Sequence, residues 1–108
     1  MVDLRQQELI DWEIRNFGKQ EPYRKLLGMI EELGEIAHSL LKAEQGIREG
    51  KDGKVDLEEL GDGVADIFIY GSNLLSSYGI NVEETLKNVI EKILSRDWIK
   101  YPKNGVSE

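Results

Sequence analysis

The stretch LLGMIEELGEIAHSLL, residues 26–41, decides the fold. Its apolar residues recur every three or four positions, the spacing of a helix face. Three carboxylates, Glu31, Glu32 and Glu35, interrupt that pattern. A second stretch, LEELGDGVADIFIYGSNLL at residues 57–75, repeats the arrangement with Glu58, Glu59, Asp62 and Asp66. Carboxylates among core residues are costly unless something cationic neutralises them. Two such clusters, on two different helices, point to a built site for hard divalent cations.

Outward from these segments the chain reads as all-α. A first helix is predicted from about Asp3 to Phe17, closed by Gly18. Pro22 suits the first turn of a second helix, which is predicted to run to about Arg48. Residues 49–54 are polar, contain two glycines and read as a loop. Asp56 with Glu59 forms a capping-box-like start for a third helix ending near Tyr78, with Gly79 as its stop. Asn81 and Glu84 repeat that pattern for a fourth helix, predicted to reach about Trp98. Residues after Pro102, about 103–108, read as a tail. Only IFIY, residues 67–70, could pass for a strand, and it is too short to alternate.

Composition bounds the function. At 108 residues the chain is one domain, and 40% hydrophobic with 32% charged residues marks it as globular. With no cysteine it has neither a disulfide framework nor a thiolate metal site, as expected of a reducing cytoplasm. No signal-peptide pattern opens the sequence, and no apolar run reaches the ~20 residues of a membrane span. A net charge of −7 argues against nucleic acid polymers and anionic membranes as partners. Phosphates remain accessible to an acidic protein if metal ions sit between.

Helix geometry groups the acids. Glu32 and Glu35 are three apart, and Glu31 and Glu35 four apart, so each pair shares a face. Glu59, Asp62 and Asp66 form one stripe that extends to Asn73. Like charges at these spacings repel. Small residues, Gly28, Gly34, Gly61, Gly63, Ala65 and Gly71, interleave with them. Glycine inside a helix costs about 1 kcal/mol relative to alanine, so another helix or a ligand is expected to approach closely. Carboxylate oxygens are the ligands Mg²⁺ takes, with Mn²⁺ a possible substitute.

The segments LLGMIEELGEIAHSLLKAEQGIR, DLEELGDGVADIFIY and SRDWIKYP resemble the MazG-like nucleotide pyrophosphohydrolases, most of all their small stand-alone bacterial and phage members. The resemblance spans Trp12 to Pro102. It implies an all-α four-helix bundle assembling as a dimer or dimer of dimers. It also implies Mg²⁺-dependent cleavage of nucleoside triphosphates to the monophosphate and pyrophosphate, as in nucleotide-pool house-cleaning. Glu31, Glu32 and Glu35 match the family's EExxE. Glu59 and Asp62 match its ExxD by spelling. Counting back from Tyr78-Gly79-Ile80-Asn81 instead places Asp66 at the motif's aspartate and Gly63 at its glutamate. Both alignments stand, with ExxDxxxD sharing the task among Glu59, Asp62 and Asp66.

Hydrolysis at an α-phosphate requires the triphosphate charge to be neutralised, a water to be activated and the leaving pyrophosphate to be stabilised. The metal set is Glu32, Glu35, Asp62 and Asp66, with Glu59 a further ligand or a support, together enough for two ions. Glu31 is the candidate for orienting or deprotonating water. Lys92 and Arg96, followed by Lys100 and Lys103, are candidates for the phosphates, and the resemblance supports the first two; alternatively they complement the end of the fourth helix. Trp12, Tyr23, Asn73 and Trp98 are candidates for the base, although each type is commonly a core or interface residue. Two rival readings stand beside the hydrolase. Glu35 and His38 spell ExxH, a motif of di-iron bundles, but the chain has a single histidine. A non-catalytic nucleotide-binding or helical interaction module would keep the acids without turnover. Apolar residues cover more than one face of the second and third helices, so self-association is expected.

Overall fold

The computed structural model of the protein describes residues 3–47 and 53–107. Four helices follow one another: α1 (Gln6–Phe17), α2 (Tyr23–Gln45), α3 (Leu57–Ser77) and α4 (Val82–Leu94). The chain is all-α, with no strand among the described residues. Among the described residues no helix is long and apolar enough to cross a membrane.

The helix starts follow the side-chain caps. Asp56 Oδ1 accepts from the Glu59 amide at 3.1 Å, and Asn81 Oδ1 from the Glu84 amide at 2.8 Å. Each satisfies one of the amides that a helix N-terminus leaves without a partner. Three expected boundaries move. The first helix begins at Gln6 rather than Asp3, because Arg5 takes a left-handed conformation (φ 56°) and donates its amide to Asp3 Oδ1 at 2.8 Å. The second ends at Gln45, where Gly46 (φ 71°) and Ile47 donate to the carbonyls of Ala43 and Lys42, a glycine-terminated stop. Arg48 and residues 49–52 of the expected loop lie outside the described residues. The fourth helix ends at Leu94 instead of Trp98. There the Ser95 hydroxyl donates to the Lys92 carbonyl, and Asp97 Oδ1 accepts the amides of Ile99 and Lys100. Short polar side chains here give the backbone an alternative to the helix.

Beyond Pro102 the chain turns back. The Gly105 carbonyl accepts from the Asp97 amide at 2.9 Å, and the Gly105 amide donates to Tyr101. Gly105 (φ 79°) is buried against Arg96 and Trp98, where a Cβ would lie 3.0–3.1 Å from their atoms. Residues 96–106 therefore close into a hook.

α2 packs along α3, and α1 lies against α3, while α4 meets α3 only sparsely. Gln6 ties the start of α1 to the α3–α4 turn. Its amide nitrogen donates to Ser76 Oγ and the Ile80 carbonyl, and its oxygen accepts the Val82 amide at 2.8 Å. A further tie is charged and buried. Lys25 Nζ of α2 lies 2.9 Å from Glu13 Oε2 of α1, with side chains only 3% and 9% exposed. Asn73 Nδ2 of α3 donates to the other oxygen of Glu13 at 3.3 Å.

The helices do not close around a shared apolar core within one copy. Ala43 and Val82 are the only buried hydrophobic side chains among the described residues, whereas Leu33, Phe68, Ile93 and Leu94 are 60–78% exposed. The radius of gyration is 17.9 Å, against roughly 13 Å for a compact domain of this length.

Removing one member of a buried ion pair strands the other. Lys25→Met is expected to destabilise the protein by about 3–5 kcal/mol. Adding Glu13→Leu should recover much of that loss, since no buried charge then remains. Chemical denaturation of the two variants checks both.

Candidate active site

α2 and α3 run side by side with little between them. A Cβ on Gly63 would come within 2.8 Å of the Ile36 side chain, and one on Gly28 within 2.5 Å of the Tyr70 ring. Both glycines are required by close approach, which answers part of the small-residue pattern. Gly34 and Gly61 have nothing within 4 Å of that position.

This approach brings the two acidic stripes to one cleft of about 170 Å³. Glu32 and Glu35 from α2 and Glu59, Asp62 and Asp66 from α3 line it, with Ile36 and Leu60 among its apolar walls. Helix registry explains the gathering: the two stripes occupy facing flanks of adjacent helices. Glu31 is exposed and lies outside the cleft lining, and His38 is not part of it.

The electrostatics show the crowding. The Glu32 carboxyl is pushed above its ordinary value of 4.5, chiefly by loss of hydration, then by the charges of Glu35, Asp66 and Glu31. The Tyr70 phenol is pushed above 10, again first by burial, then by Glu32, Glu31, Asp66 and Glu13. Tyr70 therefore stays protonated at neutral pH and can donate a hydrogen bond.

A second, larger cavity of about 500 Å³ adjoins the cleft and shares Glu32 and Asp66 with it. Trp12, Phe17, Ile69 and Tyr70 supply its apolar surface, and Glu13, Gln20 and Asn73 its remaining polar side chains. Trp12 and Phe17 meet edge to face at 5.7 Å between centroids. The chain thus places an acidic cleft beside an aromatic cavity.

The basic candidates stand elsewhere. Lys92 is on α4, and Arg96 lies over the Trp98 ring at 5.8 Å in the C-terminal hook. Lys92, Arg96, Trp98 and Tyr23 line neither cavity. Lys100 lies over Tyr101 at 5.6 Å, and Lys100 and Lys103 border a separate surface depression within the hook. Sequence reading passed over Tyr70, Glu13, Lys25, Phe17 and Gln20. The run IFIY reads as core, and nothing local announces that Glu13 and Lys25 find each other.

Among the described residues no group of three carboxylate or imidazole side chains is gathered tightly enough to hold a metal ion as it stands. The donor chemistry nevertheless suits one. Five carboxylates border a single cleft, all hard oxygen donors, and Glu32, pushed up first by desolvation, also feels the charges of Glu35 and Asp66. Glu35, Glu59, Asp62 and Asp66 are exposed and open to an ion arriving from solvent. In comparisons with protein-family models, characterised proteins and solved structures, the chain finds no match.

The raised Glu32 carboxyl has a signed consequence. The folded state holds this proton more tightly than the unfolded chain, so stability falls as pH rises from 4.5 through the raised folded value. In chelator, Glu32→Gln is expected to melt higher than wild type at about pH 7, with the gain fading by about pH 4. Thermal melts across that range measure it.

Proposed function

We propose that the protein is a Mg²⁺-dependent nucleoside triphosphate pyrophosphohydrolase that releases a nucleoside monophosphate and pyrophosphate. One observation carries this reading. Five carboxylates from two helices line a cleft that opens, through Glu32 and Asp66, onto an aromatic-walled cavity. Polyphosphate chemistry needs the first, and a nucleoside needs the second. The resemblance of Glu31, Glu32, Glu35, Glu59, Asp62 and Asp66 to the MazG-like acidic motifs supports the same assignment.

Glu32, Glu35, Asp62 and Asp66 would hold Mg²⁺, with Glu59 a further ligand or a support for its neighbours. Bound there, the ion would neutralise the polyphosphate and make a nearby water more acidic. Water oxygen attacks the α-phosphorus, the bond to the α–β bridging oxygen breaks, and pyrophosphate departs. Glu31 does not line the cleft, and only its place in the motif resemblance supports it as the carboxylate that would accept the water's proton. Trp12 and Asn73 contact the nucleoside, and Tyr70, kept as a neutral phenol, donates to substrate oxygen near Glu32.

The remaining cations come from another copy. Lys92 and Arg96 line neither cavity of their own chain, yet phosphates call for basic partners. Leu26, Leu27, Ile30 and Leu33 on α2, Phe68 on α3, and Ile90, Ile93 and Leu94 on α4 are 48–78% exposed. An apolar groove of about 330 Å³, bordered by Met29, Phe68, Leu75, Val82 and Leu86, lies open between α2, α3 and α4. Burying these faces against a second copy, as a dimer or dimer of dimers, supplies the core that one copy lacks. The same assembly gives α4 and its hook a route to the partner's acidic cleft. Such a protein acts on free nucleotides in the cytoplasm, consistent with a role in policing the nucleotide pool.

A product assay over ribo- and deoxyribonucleoside triphosphates with Mg²⁺ or Mn²⁺ tests the reaction. The expected products are monophosphate and pyrophosphate; diphosphate and phosphate would refute the reading. Glu35→Gln and Asp66→Asn should each lower kcat by about a hundredfold or more while the helical circular dichroism is kept. Sedimentation equilibrium should give twice or four times the 12.3 kDa chain mass, and a monomer alone would remove the shared site.

A further inference from the structure

We infer that Lys25 is a positioning residue for the nucleoside: acting only through Glu13, it sets the aromatic wall of the larger cavity against the acidic cleft. This rests on the proposed reading of the cleft as the metal and phosphate site and of the cavity as the nucleoside site. It adds what keeps the two in register.

Three helices build the cavity. Trp12, Glu13 and Phe17 come from α1, Glu32 from α2, and Asp66 and Tyr70 from α3. α2 and α3 pack along each other and carry all five carboxylates of the cleft. α1 carries the aromatic wall and packs against α3, with no comparable packing against α2 among the described residues. Apolar burial does little to hold that wall, since Trp12 and Phe17 are 49% and 62% exposed. The place of α1 relative to α2 therefore rests on the short connection at residues 18–22 and on the Lys25–Glu13 pair. A nucleotide that reaches from the wall to the cleft touches α1 at one end and α2 with α3 at the other, so it reads that placement directly.

Lys25 itself lines neither cavity. Its side chain is 3% exposed, and its ammonium lies 2.9 Å from Glu13 Oε2. Glu13 does line the cavity and is next in sequence to Trp12. Its other oxygen accepts from Asn73 Nδ2 of α3 at 3.3 Å. One carboxylate is thus held from α2 and from α3 at once, and the adjoining residue carries the wall. A buried pair contributes little net stability compared with apolar side chains of the same volume. What it supplies is a fixed separation, because leaving bonding distance strands a buried charge. Since Lys25 touches neither cavity, its effect on a nucleotide passes through Glu13.

The test is steady-state kinetics of Lys25→Met with a nucleoside triphosphate and Mg²⁺, beside inhibition by inorganic tripolyphosphate, which has the phosphates and lacks the nucleoside. KM is expected to rise at least about fivefold with kcat kept within about twofold, because the cavity holds the nucleoside alike before and during reaction. Inhibition by tripolyphosphate and the response of Tm to Mg²⁺ alone should match wild type, because α2 and α3 build the cleft without α1. Lys25→Arg, which keeps the charged tie, should hold KM near its wild-type value. If Lys25→Met does not fold, Lys25→Met combined with Glu13→Leu carries the same test. An unchanged KM overturns the inference. So does a loss of tripolyphosphate inhibition or of the Mg²⁺ response in step with KM, the mark of general loosening or of a charge acting at a distance. A KM raised as much by Lys25→Arg overturns it too. All three outcomes leave the hydrolase standing. Wild-type protein that neither binds nor hydrolyses a nucleoside triphosphate removes the proposed function, and this inference with it.

Discussion

A lysine and a glutamate, both sealed from water, organise this molecule. Lys25 of α2 and Glu13 of α1 meet at 2.9 Å, and Asn73 of α3 completes the set. No other interaction among the described residues joins three helices through charge. Buried ion pairs are poor sources of stability, because desolvation offsets their attraction. They are strict about geometry, however. Three helices meeting at one carboxylate have little freedom to slide or rotate, and the same constraint orients the wall of the cavity beside them.

The acidic cleft depends on that alignment and on two glycines. Gly28 and Gly63 let α2 and α3 approach until the Tyr70 ring and the Ile36 side chain occupy the space of a missing Cβ. At that separation the facing stripes stop being independent surfaces: Glu32 and Tyr70 are pushed up first by burial between the helices and then by carboxylates of both stripes. The fold accepts this repulsion although, among the described residues, almost no apolar side chain is buried.

Much of this was legible in the sequence, for local reasons. Asp56 and Asn81 announce helix starts because a short polar side chain three residues ahead of an amide has one obvious use. The spacing of Glu32, Glu35, Glu59, Asp62 and Asp66 places them on common faces, and the facing of those two faces follows once α2 and α3 pair. Boundaries that depend on competition were hidden. Arg5 adopts a left-handed φ that no propensity demands, Gly46 stops α2 where the apolar pattern runs on, and Ser95 with Asp97 draws the chain out of α4. The long-range pieces were hidden more deeply. Glu13 and Lys25 look like ordinary surface charges, Tyr70 looks like core, and only the assembled helices show that Glu13 and Tyr70 border one cavity.

The hook formed by residues 96–106 has a further consequence. Arg96 lies over Trp98, and the buried Gly105 backs both, so a guanidinium and an indole are already gathered at the far end of a helix that touches α3 only sparsely, and an anion arriving there need not assemble them.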